Sequence, residues 1–538
     1  MNRILVLIHI AVLLISCNAS NKNEEKTVFR YNSENGITSL DPAFASSQDN
    51  IWAVNQVFNG LVQLNQNLEP TPCIAKSWKI DSSGKIYTFT LRRDVSFHKN
   101  SCFSKKTRKV AASDFVYSFN RIIDPVTASP GAWIFNDKIA PNGFRALNDS
   151  TFQIELLQPF APFLGMLSMP YCAVLPKEAL ETYGKTFAHN PVGTGPFKFF
   201  LWEKDVNLVL HKNEKYFEFH NSSRLPYLDA VNVSFVSNKQ MALLLFLKGK
   251  LDLFSGITST SKDVILDDEG NLQPELRDRI TMEKKAFLNT EYLAIQIDDD
   301  KVRKPWADIH FRRAINYAID RERMINHLRN NVGQPANGGF IPKGLKGHKS
   351  NTSYAYAYNP DKALEELKQT DYLADPTPIT VSTTKDYLDL CIFIQKQLGD
   401  IGIICEINVL PSSELKEQKR NGNLAFFRAS WIMDYPDAEN YLSCFYSKNF
   451  SPNGPNYTHF KNVQYDALYE KSLTETSDSE RISQYEQMDS LILQDAPIVV
   501  LFYDQSIRLL SKKVTGLVNN PLNIPTLKYA KKELGVSQ

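Results

Sequence analysis

The sequence predicts a mixed α/β protein built from two or three domains. Its 538 residues are too many for one compact core. Residues 75–91 hold two β-rich runs around a cluster of turn residues, which is typical of an antiparallel hairpin. Residues 378–409 hold two short apolar runs with a helical stripe between them, which indicates a β-α-β unit and a parallel strand pair. We therefore expect mixed sheets.

The N-terminus predicts export. Arg3 supplies a positive charge, and the run from Ile4 to Ser16 is almost entirely apolar. A helix of that length covers about 20 Å of a bilayer core about 30 Å thick, which favours a signal peptide at 1–16 over a permanent span. Cys17 after a small residue resembles a bacterial lipobox, so we expect its acylation and a polar linker over 17–26. A plain secretory signal or a short membrane anchor are the alternatives.

The hairpin and the helix that follows it come next along the chain. Residues 75–80 and 86–91 are the two strands, and Asp81–Gly84 is the turn. Ser113 and Asp114 precede an apolar stripe that begins at Phe115, which predicts a capped helix start.

The second half of the chain has clearer helical spacing. Residues 311–319 form one apolar stripe, and Asp320 is placed to cap a further helix. In the β-α-β unit, the strands are 379–381 and 403–409, and the helix over 388–398 is stopped by Gly402.

Composition argues against several functions. Lys+Arg number 61 and Asp+Glu 59, so neither nucleic acid nor an acidic surface is implied. None of the nine histidines forms a metalloprotease motif, no cysteine pair has zinc-knuckle spacing, and no Gly-x-Ser-x-Gly elbow occurs. We predict no metal, no cofactor and no catalysis. We expect buried thiols, or at most a disulfide or two, at Cys73, Cys102, Cys172, Cys391, Cys405 and Cys444.

One glycine-rich element needs explanation. Gly193-Thr194-Gly195-Pro196 lacks the lysine of a phosphate loop, and Pro196 removes a backbone donor. We expect a tight chain crossing that needs glycine torsions.

The segment 426–437 is the strongest candidate for a binding site. It places Arg428 and Asp434 six positions apart among aromatic and apolar residues, and then reaches Pro436. A buried carboxylate is costly unless a cation meets it. Either the two side chains pair with each other, or each meets an opposite charge on a ligand, and ion pairs within a protein are the commoner case.

The mature chain resembles the solute-binding proteins of peptide ABC importers, the large class that includes the oligopeptide- and dipeptide-binding lipoproteins. Eight motifs carry the resemblance in the family's order, at residues 39–42, 57–62, 75–78, 114–121, 124–130, 191–197, 311–321 and 358–363.

The resemblance implies a periplasmic-binding-protein-like clam of two lobes with an extra third domain. It places lobe I at 27–62, 188–286 and 502–538, the extra domain at 63–187, and lobe II at 287–501.

The resemblance also implies a site. Asp434 would hold the α-ammonium of a peptide, and Arg428 would meet its C-terminal carboxylate. Ser430 and Trp431 would lie along the peptide backbone, and the stretch Ala45, Ser46 and Ser47 would oppose them.

Trp133 departs from the family pattern, because oligopeptide binders tend to carry a tyrosine there. The indole nitrogen donates but does not accept a hydrogen bond, so the contact is donating or apolar. The alternative is a plain interdomain packing role.

The implied function is capture of short peptides by lobe closure and delivery to the permease of an ABC importer. The protein would be a monomer without nucleic-acid partners, lipid-anchored to a bacterial membrane and facing the periplasm or the cell exterior. Capture of a sugar, an opine or a metal chelate, and sensing of a peptide pheromone, are the alternatives.

Overall fold

The computed structural model describes residues 26–257, 261–297, 305–350, 352–517 and 520–534. The predicted signal peptide and the lipidation site at Cys17 lie outside these residues. Within the described ranges, no helix combines the length and the apolar character that a membrane crossing requires.

Strands and short helices alternate along the whole chain. The strands are β1 Val28–Asn32, β2 Val62–Leu64, β3 Pro70–Pro72, β4 Ala75–Ile80, β5 Ile86–Leu91, β6 Ile139–Asn148, β7 Thr151–Leu156, β8 Phe197–Glu203, β9 Asn207–Lys212, β10 Phe219–His220, β11 Ser223–Arg224, β12 Ala230–Ser234, β13 Leu253–Ser255, β14 Ile280–Ile295, β15 Gln334–Pro335, β16 Ile379–Thr383, β17 Cys405–Val409, β18 Phe426–Ile432, β19 Ile498–Ser511, β20 Val514–Thr515 and β21 Lys531–Lys532. The helices are α1 Gln48–Val57, α2 Ala112–Ile123, α3 Phe163–Met166, α4 Lys177–Tyr183, α5 Lys239–Leu247, α6 Lys262–Ile265, α7 Ile309–Ala318, α8 Arg321–Arg329, α9 Pro360–Leu367, α10 Leu388–Asp400, α11 Ser412–Arg420, α12 Glu439–Leu442, α13 Val463–Thr474 and α14 Asp478–Asp495.

One large mixed sheet organises the molecule. Its strand order is β17-β16-β18-β14-β19-β13-β1-β12-β9-β8, with β15 paired to β19 off this path. Strand β1 pairs parallel to β12 and β13, and β16 pairs parallel to β17 and β18. The long strands β14 and β19 are antiparallel neighbours at the centre. They link the part of the sheet around β1 to the part around β18.

The pairing of β14 with β19 is interrupted near its middle. Ala286 is opposite Gln505, and Thr290 is opposite Tyr503, so three residues of β14 face a single residue of β19. An irregularity of this kind bends and twists a strand pair locally. It lies where the two parts of the sheet meet.

A separate four-stranded antiparallel sheet forms within residues 75–156, in the order β4-β5-β7-β6. The predicted hairpin is confirmed, because β4 and β5 pair antiparallel across the turn at Gly84. The predicted helix is present as α2, but it begins at Ala112. Ser113 is therefore inside the helix, and the Asp114 carboxylate accepts a hydrogen bond from the Ala111 amide at 2.9 Å.

The predicted elements of the second half are also present. Strands β16 and β17 pair parallel on either side of α10, which confirms the β-α-β unit. Gly402, which follows this helix, has a φ of +88°. The Asp320 carboxylate accepts a hydrogen bond from the Arg323 amide at 2.9 Å and so caps α8.

The buried apolar side chains form several clusters. The largest joins residues of the predicted lobe I with residues of the predicted extra domain. Two further clusters cover the two faces of the sheet around β16, β18 and β14. A fourth lies between α5 and the central strands. The described residues of the predicted extra domain therefore pack directly on the described residues of the predicted lobe I.

All six cysteines after Cys17 are free thiols, and five of them are buried. The expectation of buried thiols is confirmed. Across the described ranges, no group of three histidine, cysteine, aspartate or glutamate side chains is placed to hold a metal ion.

The loop at Gly193 and Gly195 crosses the end of α1 at close range. A Cβ atom on Gly193 would lie 2.0 Å from the carbonyl oxygen of Val57, and one on Gly195 would lie 2.5 Å from that of Gln56. Neither glycine has a positive φ. The tight crossing is confirmed, but its cause is the close backbone approach and not the torsion angle.

We expect Gly193→Ala to destabilise the protein by about 3 kcal/mol, because the new methyl group must displace backbone of α1. Urea unfolding measures the change. Gly399→Ala is the matched control, because a Cβ at this position inside α10 would have no atom within 4 Å. The control should be neutral or stabilising by up to about 1 kcal/mol. Equal effects of the two substitutions would contradict the crossing argument.

Candidate functional site

The loop after β18 presents the carboxylate of Asp434. Asn440 on α12 holds this loop: its Nδ2 donates to Asp434 Oδ2 at 3.1 Å, and its Oδ1 accepts from the Asp434 amide at 3.1 Å. The same Oδ1 accepts from Trp431 Nε1 at 3.1 Å. Asn440 is only 3% exposed. One buried amide therefore fixes both Asp434 and the tryptophan ring.

Asp434 is a carboxylate without a cation. Its side chain is solvent-exposed, yet the surrounding protein removes enough solvent to raise its pKa above the ordinary value, and the hydrogen bond from Asn440 offsets only part of this rise. Among the described residues, no lysine, arginine or histidine nitrogen is at ion-pair distance from it. Exposure combined with poor solvation is expected of a charged group in a concave surface.

Two other segments converge on Asp434. The charge of Asp434 adds to burial in raising the pKa of Tyr171 to about 12. Gly131 packs on the Tyr171 ring so closely that a Cβ would lie 2.3 Å from it. The Trp133 ring lies 5.9 Å from that of Tyr435. The predicted extra domain thus reaches the loop that carries Asp434.

The Trp133 ring packs on Tyr435, but the side chain is still 38% exposed. Packing between segments and contact with a ligand are both compatible with this position.

The stretch at 45–47 lies on the same side of the molecule. Ser129 Oγ donates to the Ala43 carbonyl at 2.6 Å, which ties this stretch to the segment that carries Trp133. Ala45 is fully buried, so its side chain is not available to a ligand. Ser47 caps α1 through a hydrogen bond from the Asn50 amide at 3.3 Å. Of these three described residues, Ser46 alone has an exposed side chain that neither is buried nor caps a helix.

Strand β18 has one open edge near the site. On one side, Phe426 to Ile432 pair antiparallel with β14. On the other side, pairing with β16 reaches only Phe427, through Ser382. In the part of the chain that the structure describes, no further strand covers the edge of Arg428–Ile432, which includes Ser430 and Trp431. This edge offers unpaired backbone groups close to Asp434.

The structure gives Arg428 a partner that the sequence did not suggest. Arg428 Nε donates to Glu291 Oε2 at 2.9 Å, and its Nη2 donates to Glu291 Oε1 at 2.6 Å. The guanidinium carbon lies 3.4 Å from the centre of the Tyr387 ring. Burial alone would lower the pKa of Arg428, but the neighbouring Glu291 raises it above its ordinary value. The sequence suggested that Arg428 pairs either with Asp434 or with a ligand. In the structure it pairs with Glu291 instead.

The Arg428–Glu291 pair belongs to a chain of polar contacts. Asn289 Nδ2 donates to Glu291 Oε1 at 3.0 Å and approaches Asp504 Oδ2 at 3.4 Å. Asp504 Oδ1 in turn accepts from Arg329 Nη2 at 2.6 Å. These contacts cross from β18 through β14 to β19 at the interruption of the central strand pair.

A cavity of about 350 Å³ begins at the far end of these contacts. Its walls come from β1, α1, α5 and the central strands. Five charged side chains line it: Glu34, Asp49, Lys239, Arg329 and Asp504. Lys239 pairs with Glu34 at 3.3 Å, and Arg329 pairs with Asp504. Both cations of the cavity are thus already neutralised.

The sequence pointed to Asp434 as a candidate but not to Asn440, Tyr171 or Glu291. Asn440 could have been found, since it follows Asp434 by six residues. Glu291 is 137 residues from Arg428, and only the register between β14 and β18 brings them together. No local pattern predicts that register.

The fold and the site define a class of extracytoplasmic solute-binding proteins with a periplasmic-binding-protein-like fold, as the sequence resemblance implied. The model of the bacterial extracellular solute-binding proteins, family 5, matches residues 69–453. The chain belongs to that family.

Individual relatives are distant but match over nearly the whole length. The chain is 24% identical to the dipeptide-binding protein DppE of Bacillus subtilis, covering 95% of this chain and 93% of the relative. It is 24% identical to the periplasmic oligopeptide-binding protein OppA of Escherichia coli, covering 92% and 90%. Among solved structures, the periplasmic binding protein DppA of Helicobacter pylori in complex with the peptide STSA has a TM-score of 0.80 and 28% identity, covering 96% of this chain and all of that one.

Proposed function

We propose that this protein captures short peptides as the substrate-binding component of an ABC importer. The observation that carries the proposal is the cation-free carboxylate of Asp434 beside the open edge of β18. Peptide-binding relatives of nearly equal length support it.

The proposed mode of binding needs no particular peptide sequence. An extended peptide has one N–H and one C=O per residue, so it pairs with the edge of Arg428–Ile432 as an added strand. Its α-ammonium group meets Asp434 in a charge-assisted hydrogen bond, which fixes the register. Tyr171, Trp133 and Ser46 would lie on the opposing side of the peptide. Ordered water around the side chains of the peptide then accommodates varied peptide sequences.

Closure of the two lobes is the proposed transport signal. The lobes would move about β14 and β19, whose pairing is interrupted between Ala286 and Thr290. A closed form holding peptide would be distinguishable to the permease from the open form. We retain the proposed division into lobe I at 27–62, 188–286 and 502–538, extra domain at 63–187, and lobe II at 287–501.

Several finer points belong to the same proposal. The protein would be exported, with residues 1–16 as signal peptide and Cys17 as the lipid attachment site. It would act as a monomer, and without catalysis. Intact mass of the membrane-extracted protein, with a Cys17→Ser variant for comparison, measures the acylation.

Native mass spectrometry of the protein purified without denaturation tests the peptide proposal. We expect bound species with masses of short peptides, and calorimetry with a randomised tetrapeptide pool should give affinity near micromolar, about −8 kcal/mol. Bound sugar, opine or metal chelate in place of peptide would contradict the proposal. Loss of growth on peptides after gene deletion would support import, and unchanged growth would contradict it.

A further inference from the structure

The charges of the candidate site are unequal in their availability to a ligand. Asp434 has no cation at ion-pair distance among the described residues, whereas the guanidinium of Arg428 is bound on its Nε and Nη2 edge by Glu291. A peptide presents one cationic and one anionic end, so this asymmetry bears on which end the protein recognises.

Glu291 competes strongly with any ligand carboxylate for binding to Arg428. Its side chain is 3% exposed and that of Arg428 is 12% exposed, so the pair is almost fully removed from solvent. A ligand carboxylate that displaced Glu291 would form an equivalent pair but leave a buried carboxylate behind. Burying an unpaired carboxylate is unfavourable, so the exchange gains nothing that offsets its cost.

Glu291 is also held in place. Asn289 donates to its Oε1, and Ser430 lies directly across from it in the register of β14 and β18. Tyr387 covers the guanidinium of Arg428, with the guanidinium carbon 3.4 Å from the ring centre. Movement of either partner would break several contacts together.

The two cations on the wall of the neighbouring cavity are also paired. Lys239 pairs with Glu34, and Arg329 pairs with Asp504. Asp49, the remaining charged side chain on its wall, accepts hydrogen bonds from Ser33 Oγ at 2.6 Å and Asn35 Nδ2 at 3.2 Å. The walls therefore present paired charges and one carboxylate.

We propose that this site selects its ligand by the α-ammonium group alone, and that Glu291 is the specificity-determining residue that withholds Arg428 from the ligand's carboxylate. The inference rests on the proposed function. It predicts a substrate class wider than free dipeptides and oligopeptides: peptides with a free N-terminus whose C-terminus is amidated or extended bind equally well.

One other basic side chain lies near Arg428. Lys419 on α11 has no carboxylate at ion-pair distance in the described parts of the chain, and its Nζ is 4.9 Å from the centre of the Tyr457 ring. It could receive a ligand carboxylate if the proposal fails, so it enters the test.

The test compares three forms of one randomised tetrapeptide pool in calorimetry: free acid, C-terminal amide and N-acetylated. For the wild-type protein we expect the acid and the amide to bind within about twofold of each other, while N-acetylation weakens binding at least about 30-fold. A wild-type preference for the acid of about tenfold or more would overturn the inference, and its loss in Lys419→Met would assign the carboxylate to Lys419. Because this comparison uses the wild-type protein, it does not depend on any variant folding.

Glu291→Gln provides the second measurement. The amide keeps the shape of Glu291 but removes its charge, so Arg428 becomes available and the acid should now bind at least about tenfold better than the amide. The double variant Glu291→Gln with Arg428→Gln is the matched control and should lose this preference. An unchanged acid-to-amide ratio in a folded Glu291→Gln protein would overturn the role of Glu291.

The outcomes also separate this inference from the proposed function. Binding of the free acid with rejection of the amide would leave peptide capture intact and overturn only the inference. Absence of binding by all three pools would overturn both.

Discussion

Replacing Asp434 with asparagine is expected to weaken peptide binding at least about 30-fold, or about 2 kcal/mol, with little change in fold stability. The substitution keeps the hydrogen-bonding shape of the side chain and removes only the charge that meets the α-ammonium group. In the free protein the carboxylate accepts a hydrogen bond from Asn440, and no cation of the described residues is at ion-pair distance from it. Calorimetry with the tetrapeptide pool measures the effect, and urea unfolding measures the stability.

Asp375→Asn is the matched control, because Asp375 is exposed and lies in the same predicted lobe, away from β18. It should bind peptide as the wild type does. A folded Asp434→Asn protein with wild-type affinity would rule out the role of Asp434 as an amine anchor.

The pH dependence provides an independent check of the same anchor. Desolvation by the surrounding protein raises the pKa of Asp434, so on acidification the carboxylate is protonated at a higher pH than an ordinary aspartate. Peptide affinity should therefore begin to fall at a higher pH than usual for a carboxylate site. It should also fall above about pH 8, where peptide α-amines lose their charge. The peptide affinity of the Asp434→Asn variant should not show this decline at acidic pH.

Replacing Arg121 with methionine is expected to destabilise the protein by about 3 kcal/mol. Arg121 on α2 binds Asp41 through two hydrogen bonds, Nη1 to Oδ1 at 2.9 Å and Nη2 to Oδ2 at 2.6 Å. The side chain of Asp41 is only 5% exposed. Removing one partner leaves a buried carboxylate without a counter-charge. Urea unfolding measures the loss.

Two further variants test the cause of this loss. Lys177→Met removes the exposed pair between Lys177 and Glu181 on α4, and it should change stability by less than about 0.5 kcal/mol. Adding Asp41→Asn to Arg121→Met removes the stranded charge and should restore part of the stability. A double variant that is less stable than Arg121→Met alone would contradict this explanation.

Local sequence patterns predicted local structure well. The hairpin of β4 and β5 and the unit of β16, α10 and β17 depend on alternation and helical spacing within about thirty residues. The order of the large sheet is different, because β1 pairs with β12 across about 200 positions, and β19 lies between β14 and β13. No short-range pattern encodes such neighbours, and the family resemblance implied lobes but no strand order.

The same limit applies to the site. Asp434 became a candidate because its carboxylate lies among apolar and aromatic neighbours in the sequence. The partner of Arg428 was not, because Glu291 approaches it only through strand register. Ala45 and Ser47 were expected to face a ligand, whereas one is fully buried and the other caps α1. Side-chain direction in that turn depends on the packing of Ala43 and Ser129, which the local sequence does not reveal.

The central position of β19 has a consequence for biosynthesis. This strand begins at Ile498, yet it pairs with β13 and β14 in the middle of the sheet. At about 5–20 residues per second, a ribosome that has made β1 needs roughly 25–95 s more to reach β19. Until then the centre of the large sheet cannot form, so an exported chain, as proposed here, would lack this part of its fold while it is being synthesised.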